Sequence, residues 1–210
     1  MSNLRLLGRT GSINVRKVLW TLTEIGVPFA HHDEWATPTR PTTLPEFTAK
    51  NPNAMVPVLE HDGVVLWESN TICRYLAVTF SRTDLLPAAA APRAKVEMWM
   101  DWQATDLNTA WRYAFMALVR KNPKYVDPVD IQVSIKHWNK MMLILDAHLG
   151  GKKTFVTGDQ FTLADIVLGV STHRWQMSPI ELVEAPHVTA WYNNLLTRPA
   201  AAAALSDQYS

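Results

Sequence analysis

Two serines stand where predicted helices begin, and these positions are well suited to binding an anion. Ser12 precedes a helical pattern, and Ser69 follows Glu68 at the end of a short apolar stretch. A helix N-terminus presents unpaired backbone N–H groups, and a serine hydroxyl beside them donates a further hydrogen bond or caps the helix. The sequence therefore predicts an anion contact at both serines, with helix capping as the alternative.

The sulfur chemistry open to this chain is limited by its single cysteine, Cys73, which excludes an internal disulfide and any CxxC motif. Cys73 falls between Ile72 and Leu76 in a helical pattern, which predicts a small buried side chain. Any thiol chemistry must therefore use sulfur from another molecule. The seven histidines show no metal-ligand spacing, and Ser12 lacks the G-x-S-x-G setting of a hydrolase, so neither a metal site nor a hydrolase triad is predicted.

Composition excludes several classes of partner. The 210 residues are 48% hydrophobic and 19% charged, with a net charge of +1 and no long run of one sign, so we expect no nucleic-acid or membrane partner. The first residues do not resemble a signal peptide, and no stretch approaches about 18 apolar residues. The predicted location is the cytoplasm.

The pattern of apolar residues changes near residue 85, which indicates two domains. Before this point the predicted elements are strands and helices in the order β-α-β-loop-β-β-α, including a hairpin that turns at Asp62-Gly63. Only helices are predicted afterwards, at 92–121, 128–149, from Thr162 onward, and 187–197. Thr162 and Asp165 have the spacing of a capping box, which we interpret as purely structural.

Three stretches, residues 51–60, 67–76 and 162–165, give the sequence a resemblance to the glutathione transferase superfamily. The resemblance implies an α/β plus all-α fold: a thioredoxin-like βαβαββα domain over 1–80, a linker over 81–91, and an all-helical bundle domain over 92–210. It also implies a homodimer that uses glutathione as co-substrate, without a metal.

In this family the matching hairpin and helix start hold the glutathione backbone. The implied contacts are Met55, Val56, Pro57, Glu68 and Ser69. Extended backbone before the proline would leave N–H and C=O groups free to pair with a bound peptide, and the glutamate and serine suit the γ-glutamyl end. The alternatives are a plain edge-strand proline and a serine that only caps its helix.

Other glutathione contacts are less constrained by the resemblance. Ala54-Met55 stands where many relatives have glycine and a polar residue, so one polar contact is missing. Lys50, Arg40 or Trp35 would then hold the glycyl end, each with a surface-loop alternative. Asp101 matches an acidic residue that reaches the γ-glutamyl amine from the neighbouring subunit in many relatives.

The stretch between the first strand and the first helix is where the resemblance places the glutathione thiol. Its Ser12 resembles the serine of the serine-type classes, and Ser12-x-Asn14 resembles the Thr-x-Asn pattern of Nu-like members. Both residues are therefore candidate thiolate partners, with helix capping as the alternative. Candidate walls for a second-substrate pocket are Trp111, Arg112, Phe115 and Met116. The alternative is that these residues belong to the hydrophobic core, since aromatic and Met residues at helical spacing are typical of it.

Three functions are compatible with the sequence. The first is conjugation, in which the glutathione thiolate attacks an apolar electrophile. The second is glutathione-dependent reduction of a disulfide or peroxide, which Ser12-x-Asn14 favours. The third is a non-catalytic binding module, for which Ala54-Met55 leaves room.

Overall fold

The computed structural model describes residues 3–151 and 153–205, which form two compact units. One unit contains residues 3–87 and 199–205, and the other contains 88–198 apart from residue 152. Parts of the predicted domains, residues 1, 2, 152 and 206–210, lie outside the described residues. Within the described residues, every helix is too short or too polar to cross a bilayer.

The first unit is built on a four-stranded mixed sheet with helices. In chain order its elements are β1 Leu4–Leu7, α1 Ile13–Ile25, β2 Ala30–His32, α2 Pro45–Thr48, β3 Val58–His61, β4 Val64–Trp67 and α3 Ser69–Thr79. The strand order is β2-β1-β3-β4, with β1 parallel to β2 and antiparallel to β3. This confirms the predicted βαβαββα order, although α2 lies in a Pro-rich stretch that the sequence assigned partly to a loop.

The predicted hairpin is confirmed at β3 and β4, which pair antiparallel from Val58–Trp67 to His61–Val64. Asp62 and Gly63 both have positive φ, at 46° and 87°, as a tight two-residue hairpin turn requires. Because α3 begins directly after β4, this register fixes where the chain at Glu68 and Ser69 leaves the sheet.

The loop from β1 to α1 passes close to the chain before β3. Gly8 has φ 141°, and a Cβ atom built there would lie 2.8 Å from Cβ of Val56 and 2.7 Å from Cγ2 of Val15. Glycine is therefore needed at this crossing. Without a side chain at residue 8, the loop that carries Ser12 lies against the stretch predicted to bind peptide backbone.

The second unit is helical and packs around one buried helix. Its helices are α4 Ala90–Trp102, α5 Asn108–Leu118, α6 Pro128–Leu149, α7 Leu163–Gln176 and α8 Pro186–Leu196. Residues 163–175 of α7 are all buried. The single helix predicted over 92–121 is interrupted by a π-helical turn, Gln103–Leu107, which inserts about one residue into the helical repeat without breaking the chain direction.

The described end of the chain differs from the predicted domain division. A 3₁₀ turn, Pro199–Ala201, leads into α9, Ala202–Leu205, and both pack against α1. The side chains of Ala204 and Leu205 are buried. Residues 199–205 therefore group with the first unit rather than with the helical domain, because their apolar side chains are buried against α1.

Candidate functional site

Ser12 is the N-cap residue of α1, yet its hydroxyl does not cap the helix. Its backbone is extended, at φ −84° and ψ 124°, and its C=O accepts the first helical hydrogen bond from the N–H of Arg16 at 3.0 Å. No side-chain cap hydrogen bond forms. Within the described residues the hydroxyl is therefore uncommitted, at the positive end of a 13-residue helix.

Asn14 connects the two helix starts that the sequence singles out. The Ser69 hydroxyl donates a hydrogen bond to Oδ1 of Asn14 at 3.3 Å. Asn14 is half-buried in the first turn of α1, and Ser69 is buried in the first turn of α3. The side chains predicted to serve the thiol end and the γ-glutamyl end of glutathione are thus in direct contact.

Glu68, rather than Ser69, is the N-cap of α3. The C=O of Glu68 accepts a hydrogen bond from the N–H of Ile72 at 2.9 Å, which places Ser69 inside the first turn and corrects the predicted cap by one residue. The Ser69 N–H is therefore one of the unpaired N–H groups of the helix start. Glu68 itself has φ 72° and ψ 107°, a conformation that costs a residue with a side chain about 1–3 kcal/mol.

Val56 offers free backbone groups beside this helix start. The Val56–Pro57 peptide bond is cis. The ladder between β1 and β3 begins at Val58, and within the described residues neither the N–H nor the C=O of Val56 is hydrogen-bonded. Both groups can pair with the backbone of an extended peptide, as an edge strand does.

The residues predicted for the glycyl end are engaged elsewhere. Lys50 forms an ion pair with Glu60. Arg40 pairs with Glu34 at 2.6 Å, and its guanidinium lies 4.1 Å from the ring centroid of Trp35. Trp35 is 3% exposed and packs in the core, so little of its side chain is available for the predicted ligand contact, which stays a prediction. Lys50 and Arg40 stay predictions, each with a competing carboxylate.

Two further predicted contacts lie at exposed positions. The side chain of Met55 is 59% exposed, and its C=O accepts a hydrogen bond from Nδ2 of Asn51 at 2.7 Å, so the backbone before Val56 is fixed. Asp101 is exposed on α4 of the second unit. Their roles in binding remain predictions.

Two buried cations behind the site were not predicted. Arg16 and Lys17 are each 1% exposed, and Nζ of Lys17 lies 3.3 Å from Oδ1 of Asn70 in α3. The helical pattern of α1 assigned no role to either side chain, because adjacent charged residues on an amphipathic helix ordinarily face solvent. Their burial near two helix N-termini makes this part of the first unit favourable for anions.

Cys73 does not belong to the reactive set. It is fully buried in α3, and the hydroxyl of Thr21 donates to its sulfur at 3.2 Å. Burial raises the pKa of the thiol to about 11, because a thiolate there would be desolvated. The thiol therefore stays protonated near neutral pH, as expected for a small core residue.

The four predicted second-substrate residues lie on α5 and differ in burial. Phe115 is 3% exposed, and its ring centroid lies 4.0 Å from the guanidinium carbon of Arg174. The same carbon lies 4.4 Å from the ring centroid of Trp111. Phe115 is thus packed in the second unit, as the core alternative expects, and its role as a pocket wall stays a prediction. Trp111 and Met116 are half-buried and Arg112 is exposed, so these three stay candidates.

Comparison with known proteins matches both halves of the chain. Residues 2–78 match the family model "Glutathione S-transferase, N-terminal domain", and residues 109–199 match "Glutathione S-transferase, C-terminal domain". Glutathione S-transferase GstB of Escherichia coli is 35% identical over 94% of this chain and 95% of its own. Glutathione S-transferase 3 of Zea mays is 35% identical over 95% of this chain and 92% of its own.

A solved structure extends the match to the whole fold. The theta class glutathione S-transferase of Xanthomonas axonopodis pv. citri, with glutathione bound, is 34% identical, covers 100% of both chains and superposes with a TM-score of 0.92. Sequence and fold thus agree over nearly the full length, and this chain belongs to the glutathione S-transferase family.

Proposed function

We propose that this chain binds glutathione in its first unit, stabilises the thiolate, and transfers it to an apolar electrophile. The observation that carries the proposal is the uncommitted Ser12 hydroxyl at the start of α1, two residues before Asn14, which accepts a hydrogen bond from Ser69 at the start of α3. The assignment is supported by the glutathione bound in the similar Xanthomonas enzyme.

The extended tripeptide would run from the start of α3, past Val56, to the loop at Ser12. The free N–H and C=O of Val56 pair with the tripeptide backbone, while the first-turn N–H groups of α3 bind the γ-glutamyl carboxylate. The Ser69 hydroxyl, on turning from Asn14, donates to the same carboxylate. Glu68, exposed beside them, accepts from the γ-glutamyl ammonium. This arrangement brings the cysteinyl sulfur to the loop at Ser12.

The available interactions are large enough to ionise the thiol near neutral pH. Lowering the pKa of a free thiol from about 8.5 by two units requires about 2.7 kcal/mol. A helix N-terminus contributes about 0.3–1 kcal/mol, and a hydrogen bond to a charged group about 1.5–3 kcal/mol. The thiol proton passes to water, and the sulfur lone pair then forms the new bond to the electrophilic carbon as the leaving group departs.

Calorimetry tests the binding mode directly. Ser69→Ala should weaken glutathione binding about tenfold, because it removes a hydroxyl beside a carboxylate. Thr71→Ala is the matched control, since Thr71 is an exposed hydroxyl residue of the same helix. The ultraviolet absorbance of the thiolate, followed against pH in the same samples, should show the bound thiol ionising below the free thiol. A wild-type chain that releases no heat with millimolar glutathione would overturn the proposal.

We also infer a homodimer, on the grounds of the exposed apolar edge of the sheet, and we retain the cytoplasmic location that the sequence predicts. Val64, Val65 and Trp67 of β4 are 42%, 43% and 39% exposed, on a strand that pairs with β3 on one side only. In such a dimer, Asp101 of the partner subunit would approach the γ-glutamyl ammonium. Trp111, Arg112 and Met116 stay our candidates for electrophile contact.

Sedimentation equilibrium tests this assembly. The wild type should have twice the 23.7 kDa of one chain, and Val65→Lys should shift it toward the single chain. Val126→Lys is the control, because Val126 is 71% exposed but belongs to the second unit and not to β4. A wild-type mass of one chain at micromolar concentration would contradict the dimer.

A further inference from the structure

A buried guanidinium joins the loop before Ser12 to the described end of the chain. Arg16 is 1% exposed; its Nε donates to the C=O of Thr10 at 2.8 Å, and its Nη1 donates to the C=O of Ala204 at 3.0 Å. Ala204 lies in α9, whose last carbonyls have no partner within the helix. Arg16 therefore connects Thr10 to Ala204, which are 194 residues apart in sequence.

The connection matters because every polar backbone and side-chain atom of Thr10 is held. Its N–H and hydroxyl both donate to Oδ1 of Asp33, at 2.5 and 2.7 Å, and its C=O accepts from Arg16. Two residues later, the N–H of Ser12 donates to the C=O of Arg9 at 3.1 Å. The direction in which Ser12 presents its hydroxyl thus depends on how this loop is anchored.

We propose that Arg16 is a positioning residue for thiolate stabilisation and that residues 199–205 are the support through which it acts. The inference rests on the proposed function. With 1% of its surface exposed, Arg16 has almost no area with which to touch glutathione. Its effect must pass through the backbone of Thr10 and on to Ser12.

Arginine suits this task better than lysine. The planar guanidinium presents several N–H groups in a fixed fork and binds two carbonyls in different directions, whereas an ammonium on a flexible stem is a compact charge without that fork. Undocking α9 would remove the carbonyl of Ala204 from the buried charge. The guanidinium would then lose one of its two carbonyl partners, and its Nε would hold the C=O of Thr10 less firmly.

The test measures the ionisation of bound glutathione in three variants of the full chain. Arg16→Lys keeps the charge, and Ala204→Gln places a bulky side chain at a position that is 0% exposed, which displaces α9. Each should raise the apparent pKa of the bound thiol by about one unit and lower kcat for chlorodinitrobenzene about threefold near neutral pH. The KM for glutathione should change by less than about twofold. The double variant should match the larger single effect rather than their sum.

Arg82→Lys is the matched control. Nη1 of Arg82 donates to the C=O of Glu24 at the far end of α1, at 2.6 Å, so this variant disturbs the same helix away from Ser12. It should alter the unfolding midpoint without moving the thiol pKa. If Arg16→Lys and Ala204→Gln leave that pKa at the wild-type value, the inference is overturned while the proposed function stands. Additive effects in the double variant would also overturn it. A wild type that does not bind glutathione overturns both.

Discussion

Replacing Ser12 by alanine should raise the pKa of the bound glutathione thiol by about one to two units and thereby lower kcat about three- to twenty-fivefold at neutral pH. The hydroxyl is uncommitted among the described residues, so it is available to donate to a thiolate. A hydrogen bond to a charged group is worth about 1.5–3 kcal/mol, and its loss appears in the ionisation of the sulfur. Glutathione affinity should change little, because Val56 and Ser69 hold the rest of the tripeptide.

The pH dependence separates this effect from a general loss of structure. Well above the pKa of the free thiol, about 8.5, glutathione is ionised with or without the hydroxyl, so wild type and Ser12→Ala should converge in rate. Ser12→Thr retains a hydroxyl and should retain most of the activity. If Ser12→Ala turns over normally while Asn14→Ala abolishes turnover, the amide rather than the hydroxyl is the principal thiolate partner.

Replacing Asp165 by alanine should lower the free energy of unfolding by about 3–5 kcal/mol, since it removes the acceptor of several buried hydrogen bonds. The carboxylate is 0% exposed at the start of α7. It accepts hydrogen bonds from the N–H of Val156 at 2.8 Å, the N–H of Thr162 at 2.9 Å and Nε1 of Trp191 at 3.0 Å. Alanine would leave these buried donors without an acceptor, and each unsatisfied group costs about 1–3 kcal/mol.

Asp165→Asn is the matched control, because its amide oxygen still accepts from Val156 and Trp191. Urea unfolding should therefore rank wild type above Asp165→Asn and Asp165→Ala lowest. Equal urea midpoints for wild type and Asp165→Ala would show that the hydrogen bonds to Asp165 contribute nothing measurable to stability.

The same residue makes stability depend on pH. Burial raises the pKa of Asp165 from 3.8 to about 6 in the folded chain, so the folded state binds the proton more tightly than the unfolded state. The resulting stabilisation is complete below pH 3.8 and is lost as pH rises through about 6. The slope between these values is at most about 1.4 kcal/mol per pH unit. The difference between wild type and Asp165→Ala should accordingly be larger at pH 5 than at pH 7.5.

Features encoded by neighbouring residues could be predicted from the sequence. Asp62-Gly63 specifies a tight turn, and α6 runs over the predicted 128–149. Asp165 accepts from the N–H of Thr162, as the predicted capping box requires. In each case a few adjacent side chains determine the backbone, so tertiary contacts were not needed to identify the element.

Features that depend on distant contacts could not be predicted. The burial of Arg16 requires the carbonyl of Ala204, far along the chain, and the burial of Trp35 requires the core beside β1 and β3. The π-helical turn at 103–107 keeps the helix direction, so periodicity alone extends one helix through it. Within the site, the resemblance indicated Ser12, Asn14 and Ser69, while the hydrogen bond from Ser69 to Asn14 required the packing of α1 against α3.

The return of residues 199–205 to the first unit affects how this protein is handled in the laboratory. A tag or fusion partner placed after α9 is attached to the unit proposed to hold glutathione, next to the helix that carries Ser12. A fragment ending at residue 87 would lack this segment and expose the apolar side of α1 that it covers. Affinity labels are therefore better placed elsewhere, and isolated first-unit fragments should be joined to 199–205 by a linker.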